Sequence, residues 1–253
     1  MLCNWKIKGF IHSNLTSFLL SFVAIRYLHH EVSPHIIHRD IKASNVLLDL
    51  YFQPLATDFG FAKLIPEEVS HLTTRVKGTL GYLALEYAMW GKVSESCNVY
   101  SFGILLLEIV TGRKPIEKLP GGVKRTITEW AATLITNGRF KDLVDPKLRG
   151  SFDETQLKQA IGVASLCVQS DPNKRPNMKE VVSLLKGHEA KGTVLQMKIN
   201  SVKYEEAFLA LDQHGDDDGA DESNGYGVFS ALEEQKMQDP YKHHGDWRIT
   251  RKV

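Results

Sequence analysis

Cysteine is scarce in this chain of 253 residues. Three cysteines occur, Cys3, Cys97 and Cys167, and no two of them form a C-x-x-C pair. This spacing argues against a disulfide framework and against a zinc site built from thiolates. A reducing compartment such as the cytoplasm fits this cysteine usage best.

An excess of charge of either sign is also missing. The chain has 31 Lys and Arg residues and 30 Asp and Glu residues, so its formal net charge is +1. No field across the whole molecule would recruit nucleic acid or an anionic membrane, and we expect no nucleic-acid partner. Other partners have to be inferred from local sites.

No long apolar run marks a membrane span near the N-terminus. The apolar run at residues 18–25 is too short to cross a bilayer. Lys6 and Lys8 precede it as in a secretory signal, but the run continues into Arg26 without a small-residue cleavage site. We therefore expect a buried helix here and no membrane span.

The sequence divides into three parts. Residues 18–187 alternate apolar segments with short turns, and residues 1–17 form an irregular segment before them. From residue 188 onward the chain is polar, and its carboxylates include Asp212, Asp216, Asp217, Asp218, Asp221 and Glu222. Their spacing does not match an EF-hand calcium loop. This composition buries too little apolar surface to fold, so we expect a largely disordered tail over 188–253.

Apolar spacing in the middle part predicts mainly α-helix. Residues 99–110 are apolar nearly all round, which is typical of a helix buried on every side, with Ser94 as N-cap and Gly112 as its end. Three more helices are predicted by Thr126 with Glu129, by Asp153 with Gln156, and by Met178 with Val181, Val182 and Leu185. Residues 46–48 and 54–57 predict one small β-hairpin.

The strongest signal for chemistry is an ordered pair of motifs. His38-Arg39-Asp40-Ile41-Lys42-Ala43-Ser44-Asn45 comes first, and Asp58-Phe59-Gly60 follows after the predicted hairpin. This pair, in this order, is typical of protein kinases. Phosphoryl transfer needs a carboxylate that orients the attacking hydroxyl and accepts its proton, which makes Asp40 the candidate base. Lys42 would neutralise charge on the phosphoryl oxygens, and Asn45 and Asp58 offer the hard oxygen ligands that Mg²⁺ requires.

A third signal lies downstream. Gly81-Tyr82-Leu83-Ala84-Leu85-Glu86 stands where kinases carry Ala-Pro-Glu, with Leu85 in place of the proline. Arg175 is the expected partner of Glu86, and this buried pair would tie the end of the activation segment to the helical core. The alternative is that the two are unrelated surface charges.

Residues 18–187 resemble the C-terminal lobe of a plant receptor-like cytoplasmic kinase of the Pelle class. Thr73-Thr74-Arg75-Val76-Lys77-Gly78-Thr79-Leu80-Gly81-Tyr82 is similar to that family's activation segment, and Val99-Tyr100-Ser101-Phe102-Gly103 to its core helix. The resemblance implies a mainly α, protein-kinase-like C-terminal lobe with a small β-hairpin. It also implies ATP and Mg²⁺ as cofactors, a protein substrate, a receptor kinase as partner, and a cytoplasmic protein that reaches the plasma membrane through partners.

The resemblance further implies serine/threonine specificity and regulation. In the family, the residue at Thr79 bridges the catalytic aspartate and lysine, here Asp40 and Lys42. Arg39 beside the base suggests that phosphorylation orders the activation segment, because a guanidinium can hold two phosphate oxygens. The candidate acceptors are Thr73, Thr74 and, behind them, Ser70. Ordinary solvated loop hydroxyls are the alternative.

Three elements of a working kinase are not found in the sequence. These are the glycine-rich loop, the lysine of the third strand and the glutamate that positions it. No G-x-G-x-x-G occurs, and Val23-Ala24-Ile25-Arg26 resembles the lysine motif only by chance, since it runs into the helix that delivers the catalytic loop. The few residues before residue 18 cannot form a five-stranded lobe, so we expect the N-terminal lobe to be missing.

Besides the missing elements, Asn98 is a second departure from the family's pattern. Together they leave two functions open. The family carries an aspartate here that accepts backbone hydrogen bonds from the catalytic loop, and the neutral amide should hold that loop less firmly. In the first function, the chain is a serine/threonine kinase whose activity depends on residues outside it. In the second, it is a pseudokinase or another non-catalytic module that binds a receptor kinase or its substrate.

Overall fold

The computed structural model describes residues 23–50, 54–148 and 152–187. The predicted irregular segment 1–17, the start of the apolar run 18–25 and the predicted disordered tail 188–253 lie outside the described residues. Within the described part, no helix combines the length and the apolar character needed to cross a bilayer.

Six α-helices form most of the regular structure in the described residues. In chain order they are α1 (Val23–His30), α2 (Leu85–Trp90), α3 (Glu95–Thr111), α4 (Ile127–Thr136), α5 (Glu154–Cys167) and α6 (Met178–Leu185). Short 3-10 helices accompany them at Ala43–Asn45, Phe59–Phe61, Phe140–Leu143, Pro146–Leu148 and Pro172–Lys174. The mainly helical lobe predicted from the sequence is confirmed.

Helix α3 is the centre of the lobe, as its apolar sequence predicts. Thirteen of its 17 residues are buried. It begins after Ser94 and ends at Gly112, whose φ of 67° is a left-handed conformation that glycine adopts at little cost. Helix α5 packs so closely against α3 that a Cβ on Gly103 would lie 2.7 Å from the Cβ of Cys167. The absence of a side chain at Gly103 therefore permits this contact.

The N-terminal caps of α4 and α5 lie where the sequence predicts them. The Thr126 side chain accepts from the backbone N–H of Glu129 at 3.2 Å, and the Glu129 carboxylate accepts from the backbone N–H of Thr126 at 2.8 Å. Asp153 caps α5 through its carboxylate. Asn177 and Glu180 form a second reciprocal box before α6, which the sequence analysis did not identify. Each cap satisfies N–H groups that the helix itself leaves unpaired.

In the part of the chain that the structure describes, the strands are short and pair in twos. They are β1 (His35–Ile37), β2 (Val46–Leu48), β3 (Pro54–Ala56), β4 (Lys63–Ile65), β5 (Leu72–Thr73), β6 (Lys92–Val93), β7 (Ile116–Lys118) and β8 (Lys124–Thr126). The antiparallel pairs in the described residues are β1 with β4, β2 with β3, β5 with β6, and β7 with β8. The pair of β2 with β3 is the predicted hairpin, and the other three were not predicted.

Two of these pairs fix the loops that carry the paired motifs. Residues 38–45 connect β1 to β2, and residues 57–62 connect β3 to β4. Ile37 stands opposite Lys63 at one end of the loops, and Val46 stands opposite Ala56 at the other. Both loops are thus held at both ends by the same two ladders, which brings the two motifs together.

Candidate active site

Asp40 is the centre of a buried hydrogen-bonded cluster, and its side chain is 2% exposed. Lys42 Nζ lies 2.9 Å from Asp40 Oδ2 and donates to Thr79 Oγ1 at 2.8 Å. Thr79 Oγ1 donates to Asp40 Oδ1 at 2.6 Å. Asn45 Nδ2 donates to Asp40 Oδ2 at 3.0 Å and to the Asp40 carbonyl at 2.9 Å. The structure therefore brings four of the predicted site residues into direct contact.

These contacts orient the amide of Asn45. Because its nitrogen donates twice to Asp40, its Oδ1 is left as an acceptor, and Ser44 Oγ reaches that oxygen only at 3.4 Å. Thr57 donates from its backbone N–H and its hydroxyl to the Asn45 carbonyl, at 2.9 and 3.1 Å. Asp58 follows Thr57 directly and is exposed, and its carboxylate accepts a weak 3.4 Å bond from the Gly60 N–H.

His38, to which the sequence analysis gave no role, connects the two loops. Its Nε2 pairs with the Thr57 carbonyl at 2.9 Å, and its Nδ1 accepts from the Asp40 N–H at 3.3 Å. Its ring centroid lies 4.7 Å from that of Phe59. Burial lowers the pKa of His38, which agrees with a neutral ring whose Nε2 carries the proton. The only signal for this role was its position at the head of the motif.

Arg39 holds the activation segment through two backbone carbonyls and the Tyr87 hydroxyl. Its side chain donates to the Phe61 carbonyl, to the Arg75 carbonyl at 3.4 Å and to Tyr87 Oη at 3.2 Å. Among the described residues it makes no hydrogen bond to the predicted phosphorylation sites. Thr73 and Ser70 are exposed, and Thr74 is half-buried.

Tyr87, which contacts Arg39, was not identified from the sequence as a residue of the site. Its hydroxyl accepts from the Lys77 N–H at 2.9 Å, and burial raises its pKa. The side chain is almost fully buried, at 1% exposure. Because a buried tyrosine hydroxyl normally finds partners, an aromatic residue directly after Glu86 was a usable signal.

Backbone strain marks the same place. In the described residues, Arg39 with φ of 69° and Asp58 with φ of 63° are the non-glycine residues with positive φ. Such conformations cost of order 1 kcal/mol or more and persist only where the surrounding structure enforces them. Arg39 is held by α3, since its backbone N–H donates to Asn98 Oδ1 at 3.1 Å.

Asn98 also binds a buried histidine. Its Nδ2 pairs with His29 Nε2 at 2.9 Å, and both residues are 0% exposed. Since Asn98 Oδ1 already accepts from Arg39, its Nδ2 must donate, and His29 Nε2 must therefore be unprotonated. Burial lowers the pKa of His29 to about 3, and the charges of His30 and His35 act in the same direction. The predicted backbone contact of residue 98 is present, and His29 is a partner that the sequence did not reveal.

We expect acid to destabilise the lobe through His29. Its pKa is about 3 in the folded chain and about 6.5 when unfolded. Below the unfolded pKa only the unfolded chain takes up this proton, so the contribution is complete above about pH 6.5 and is lost as the pH falls. The loss between pH 7.5 and pH 5 is about 2 kcal/mol. Thermal unfolding midpoints across this range measure it.

Two variants distinguish the contribution of His29 to the acid sensitivity from that of other titratable residues. His29→Gln keeps an acceptor for Asn98 but cannot titrate. The folding stability that this variant loses between pH 7.5 and pH 5 should therefore be smaller by about 2 kcal/mol. The exposed His71, changed to Gln, is the matched control and should leave the loss unchanged. An unchanged slope in His29→Gln would assign the acid sensitivity to other residues.

Glu86 and Arg175 form the predicted buried pair. Arg175 Nη1 lies 2.6 Å from Glu86 Oε1, and Nη2 lies 2.9 Å from Oε2. The side chains are 5% and 0% exposed, respectively. Cys97 Sγ donates to Glu86 Oε1 at 3.6 Å, and burial raises the pKa of that thiol to about 12, so it remains protonated. The alternative of two unrelated surface charges does not match this geometry.

A buried carboxylate paired with a lysine, with an amide oxygen on the same loop and a second carboxylate on the neighbouring loop, is the arrangement of a phosphoryl-transfer site. In agreement, the protein kinase domain matches residues 8–184 of the sequence. This match covers more than half of the chain, which therefore belongs to the protein kinase family.

Relatives of the chain include plant receptor-like kinases and other kinases of Arabidopsis thaliana. It is 46% identical over 167 residues to the proline-rich receptor-like protein kinase PERK8, a match that covers 64% of this chain and 24% of that protein. It is 44% identical over 168 residues to the serine/threonine-protein kinase CDG1, covering 64% and 39%. It is 42% identical over 178 residues to a PTI1-like tyrosine-protein kinase, covering 70% and 49%. The chain thus spans about a quarter to a half of the length of these relatives.

Proposed function

We propose that this chain supplies the phosphoryl-transfer residues of a serine/threonine protein kinase. The observation that carries the proposal is the closed cluster of Asp40, Lys42, Asn45 and Thr79. In it, Asp40 is the base that orients the substrate hydroxyl and accepts its proton. The Lys42 ammonium, already 2.9 Å from Asp40, places a positive charge where the negative charge of the transferring group develops.

The chemistry of the oxygen atoms fits Mg²⁺. Asn45 Oδ1 and the Asp58 carboxylate are hard donors, and neither is engaged by a short hydrogen bond among the described residues. Mg²⁺ in nucleotide sites is commonly bound by one or two carboxylates together with substrate phosphates. When bound, MgATP would supply the γ-phosphoryl group and neutralise its charge.

The proposed acceptor class is serine or threonine. Thr79 closes the cluster by donating to Asp40 and accepting from Lys42, which fixes the base and the cation relative to one another. The relatives include proteins named as serine/threonine and as tyrosine kinases, so the assay has to compare all three acceptor hydroxyls. The proposed partners are a protein substrate and a receptor kinase, and the proposed location is the cytoplasm, with plasma-membrane contact through partners.

Regulation by phosphorylation belongs to the same proposal. Arg39 donates to the carbonyl of Arg75, the residue directly after Thr74. A phosphate on Thr73, Thr74 or Ser70 would add an acceptor of higher charge near this guanidinium.

The second candidate is a non-catalytic module that binds a receptor kinase or its substrate. Two observations favour it: the sequence has no G-x-G-x-x-G, and the uncharged Asn98 holds the catalytic loop. Both leave the atoms of the Asp40 cluster in place, so we favour the kinase over the non-catalytic module. We expect weak phosphoryl transfer by the chain alone.

Labelled ATP distinguishes the two candidates. Purified chain is incubated with γ-labelled ATP, Mg²⁺ and peptides that carry serine, threonine or tyrosine, once alone and once fused behind a kinase lobe that has a glycine-rich loop and a strand lysine. We expect label on serine or threonine from the fusion and little from the chain alone. Label on tyrosine would contradict the specificity, and no label from either protein would favour the interaction module.

A further inference from the structure

A surface pocket lies between the chain that follows α4 and the first turns of α5, and it is here called the α4–α5 pocket. Its volume is about 380 Å³, and the residues that line it include Arg139, Phe140, Lys141, Glu154, Leu157 and Lys158. Leu157 is buried in the hydrophobic core, and Phe140 is half-buried against that core. These two side chains give the pocket an apolar part of the kind that ligand and peptide sites have.

The lining of the α4–α5 pocket carries more positive than negative charge. Its three cations, Arg139, Lys141 and Lys158, are exposed, and its carboxylate is Glu154. Lys141 Nζ lies 2.8 Å from Glu154 Oε1. Lys158 follows Glu154 by four residues on α5, and its charge acts on the same carboxylate. Two lysines of the pocket therefore share one anion.

The ion pairs already present at the pocket are weak enough to be exchanged. Arg139 Nε lies 2.6 Å from Asp142 Oδ2, and the second pair is that of Lys141 with Glu154. In both pairs the side chains are at least 50% exposed. Water and salt screen pairs of this kind, so they contribute little to stability. Further carboxylates can therefore enter the pocket without displacing a strong contact.

The sequence after the described residues contains a segment with the complementary chemistry. Residues 208–222, here called the acidic segment, have six carboxylates and no lysine or arginine. The segment begins with Phe208, Leu209 and Leu211, and its carboxylates follow at Asp212, Asp216, Asp217, Asp218, Asp221 and Glu222. Apolar side chains followed by anions match a pocket that combines two apolar side chains with three cations.

The described part of the chain also ends beside the helix that lines the pocket. A Cβ built on Gly187, the last described residue before the acidic segment, would lie 3.5 Å from Gln159 Nε2. Gln159 directly follows Lys158 on α5. The 21 residues from Gly187 to Phe208 can span up to about 70 Å, whereas α5 from Glu154 to Gln159 is only about 8 Å long. The connection is therefore long enough to bring the acidic segment to the pocket.

We propose that the acidic segment docks in the α4–α5 pocket of its own chain. Its apolar residues contact Phe140 and Leu157, and its carboxylates pair with the three cations of the pocket. A segment tethered to its site has an effective concentration of order 1 mM, so weak local contacts are enough to hold it. The segment has too few apolar residues for a core of its own, but the lobe supplies the remaining apolar surface. The proposal concerns binding and is independent of the proposed catalytic function.

Zero-length carbodiimide cross-linking of the full chain, analysed by mass spectrometry, tests the proposal without nucleotide. The reagent joins a lysine amine to a carboxylate only where the two groups are in contact, and the pair of Lys141 with Glu154 serves as internal reference. We expect Lys141 and Lys158 to be joined to the acidic segment at least about tenfold more often than the exposed Lys118 and Lys174. Salt at about 0.5 M should lower this yield severalfold.

Two variants weaken the docking and keep every lysine and carboxylate that the reagent could join. Arg139→Glu reverses one charge of the pocket, and Phe208→Ser/Leu211→Ser removes apolar contacts of the acidic segment. Each should lower the yield of cross-links between segment and pocket about fivefold or more. The matched control is Lys174→Glu, which reverses another exposed cation of an i,i+3 pair, that with Asp171, and it should leave the yield unchanged.

Circular dichroism should show all variants folded. Cross-links from the acidic segment spread evenly over the exposed lysines of the lobe would overturn the proposal, and so would an equal loss of yield in Lys174→Glu. A mixture of unlabelled and isotope-labelled chains tells one copy from two. We expect each cross-linked pair of peptides to carry a single label state, and pairs that combine the two states would overturn the proposal in favour of docking between two copies of the chain.

Discussion

Asp40→Asn is expected to lower phosphoryl transfer by the fused chain about 100- to 10,000-fold, the usual contribution of a positioned general base. The asparagine keeps the shape of the side chain, so Lys42 and Thr79 lose a charged acceptor and little packing. Transfer of γ-label to a serine or threonine peptide, with ATP and Mg²⁺ in excess, measures the effect. The thermal unfolding midpoint should change little by comparison.

The matched control is Asp142→Asn. Asp142 is an exposed carboxylate that pairs with Arg139 on the surface, and its loss should leave transfer within about twofold. If Asp40→Asn and Asp142→Asn transferred label equally, Asp40 would not be the base and the measured activity would come from elsewhere. If the rate of Asp40→Asn fell together with its unfolding midpoint, the role of Asp40 would be structural.

Local sequence patterns could predict the helices because a helix is specified by neighbouring residues. Thr126 and Glu129 are three positions apart, and the apolar sequence of α3 needs no information from elsewhere in the chain. The pairs of β1 with β4 and of β5 with β6 were missed for the opposite reason. Strands of two or three residues are too short to show alternation, and their partners lie about 20 residues or more away.

The candidate site, like the fold, was predictable from the sequence only in part. The contacts of Asp40 with Lys42 and Asn45 lie within one motif, and those of Thr79 and of Glu86 with Arg175 followed from family resemblance. The contacts of Arg39 with Tyr87 and of Asn98 with His29 depend on the fold, at sequence separations of 48 and 69 residues. No pattern local to either partner identifies the other.

Leu85 shows how a structure changes the interpretation of a substitution. From the sequence alone, replacing the family's proline at this position predicts some loss of turn rigidity, because proline fixes φ. In the structure Leu85 is the first residue of α2, where proline is favoured because that N–H has no partner within the helix. Leucine at this position keeps the helix and gives up only the restriction of φ.

Arg175→Ala is expected to cost about 3–5 kcal/mol of folding stability, because it leaves the Glu86 carboxylate buried without its cation. Besides its two bonds to Glu86, Arg175 donates to the carbonyls of Gln169 at 2.7 Å and Ser96 at 3.0 Å. Its guanidinium also lies 4.9 Å from the ring centroid of Tyr100. At roughly 2–4 °C per kcal/mol for a domain of this size, the thermal unfolding midpoint should fall by about 10 °C.

Two further variants show whether the cost comes from a stranded charge. Arg139→Ala breaks an exposed pair, with side chains 61% and 50% exposed, and should cost less than about 1 kcal/mol. The double variant Glu86→Leu/Arg175→Met removes both charges and should recover much of the loss, since a buried pair replaced by apolar groups is often nearly neutral. A double variant as unstable as Arg175→Ala would assign the cost to the carbonyl contacts of Arg175, and the pair would then contribute little to holding the activation segment on the core.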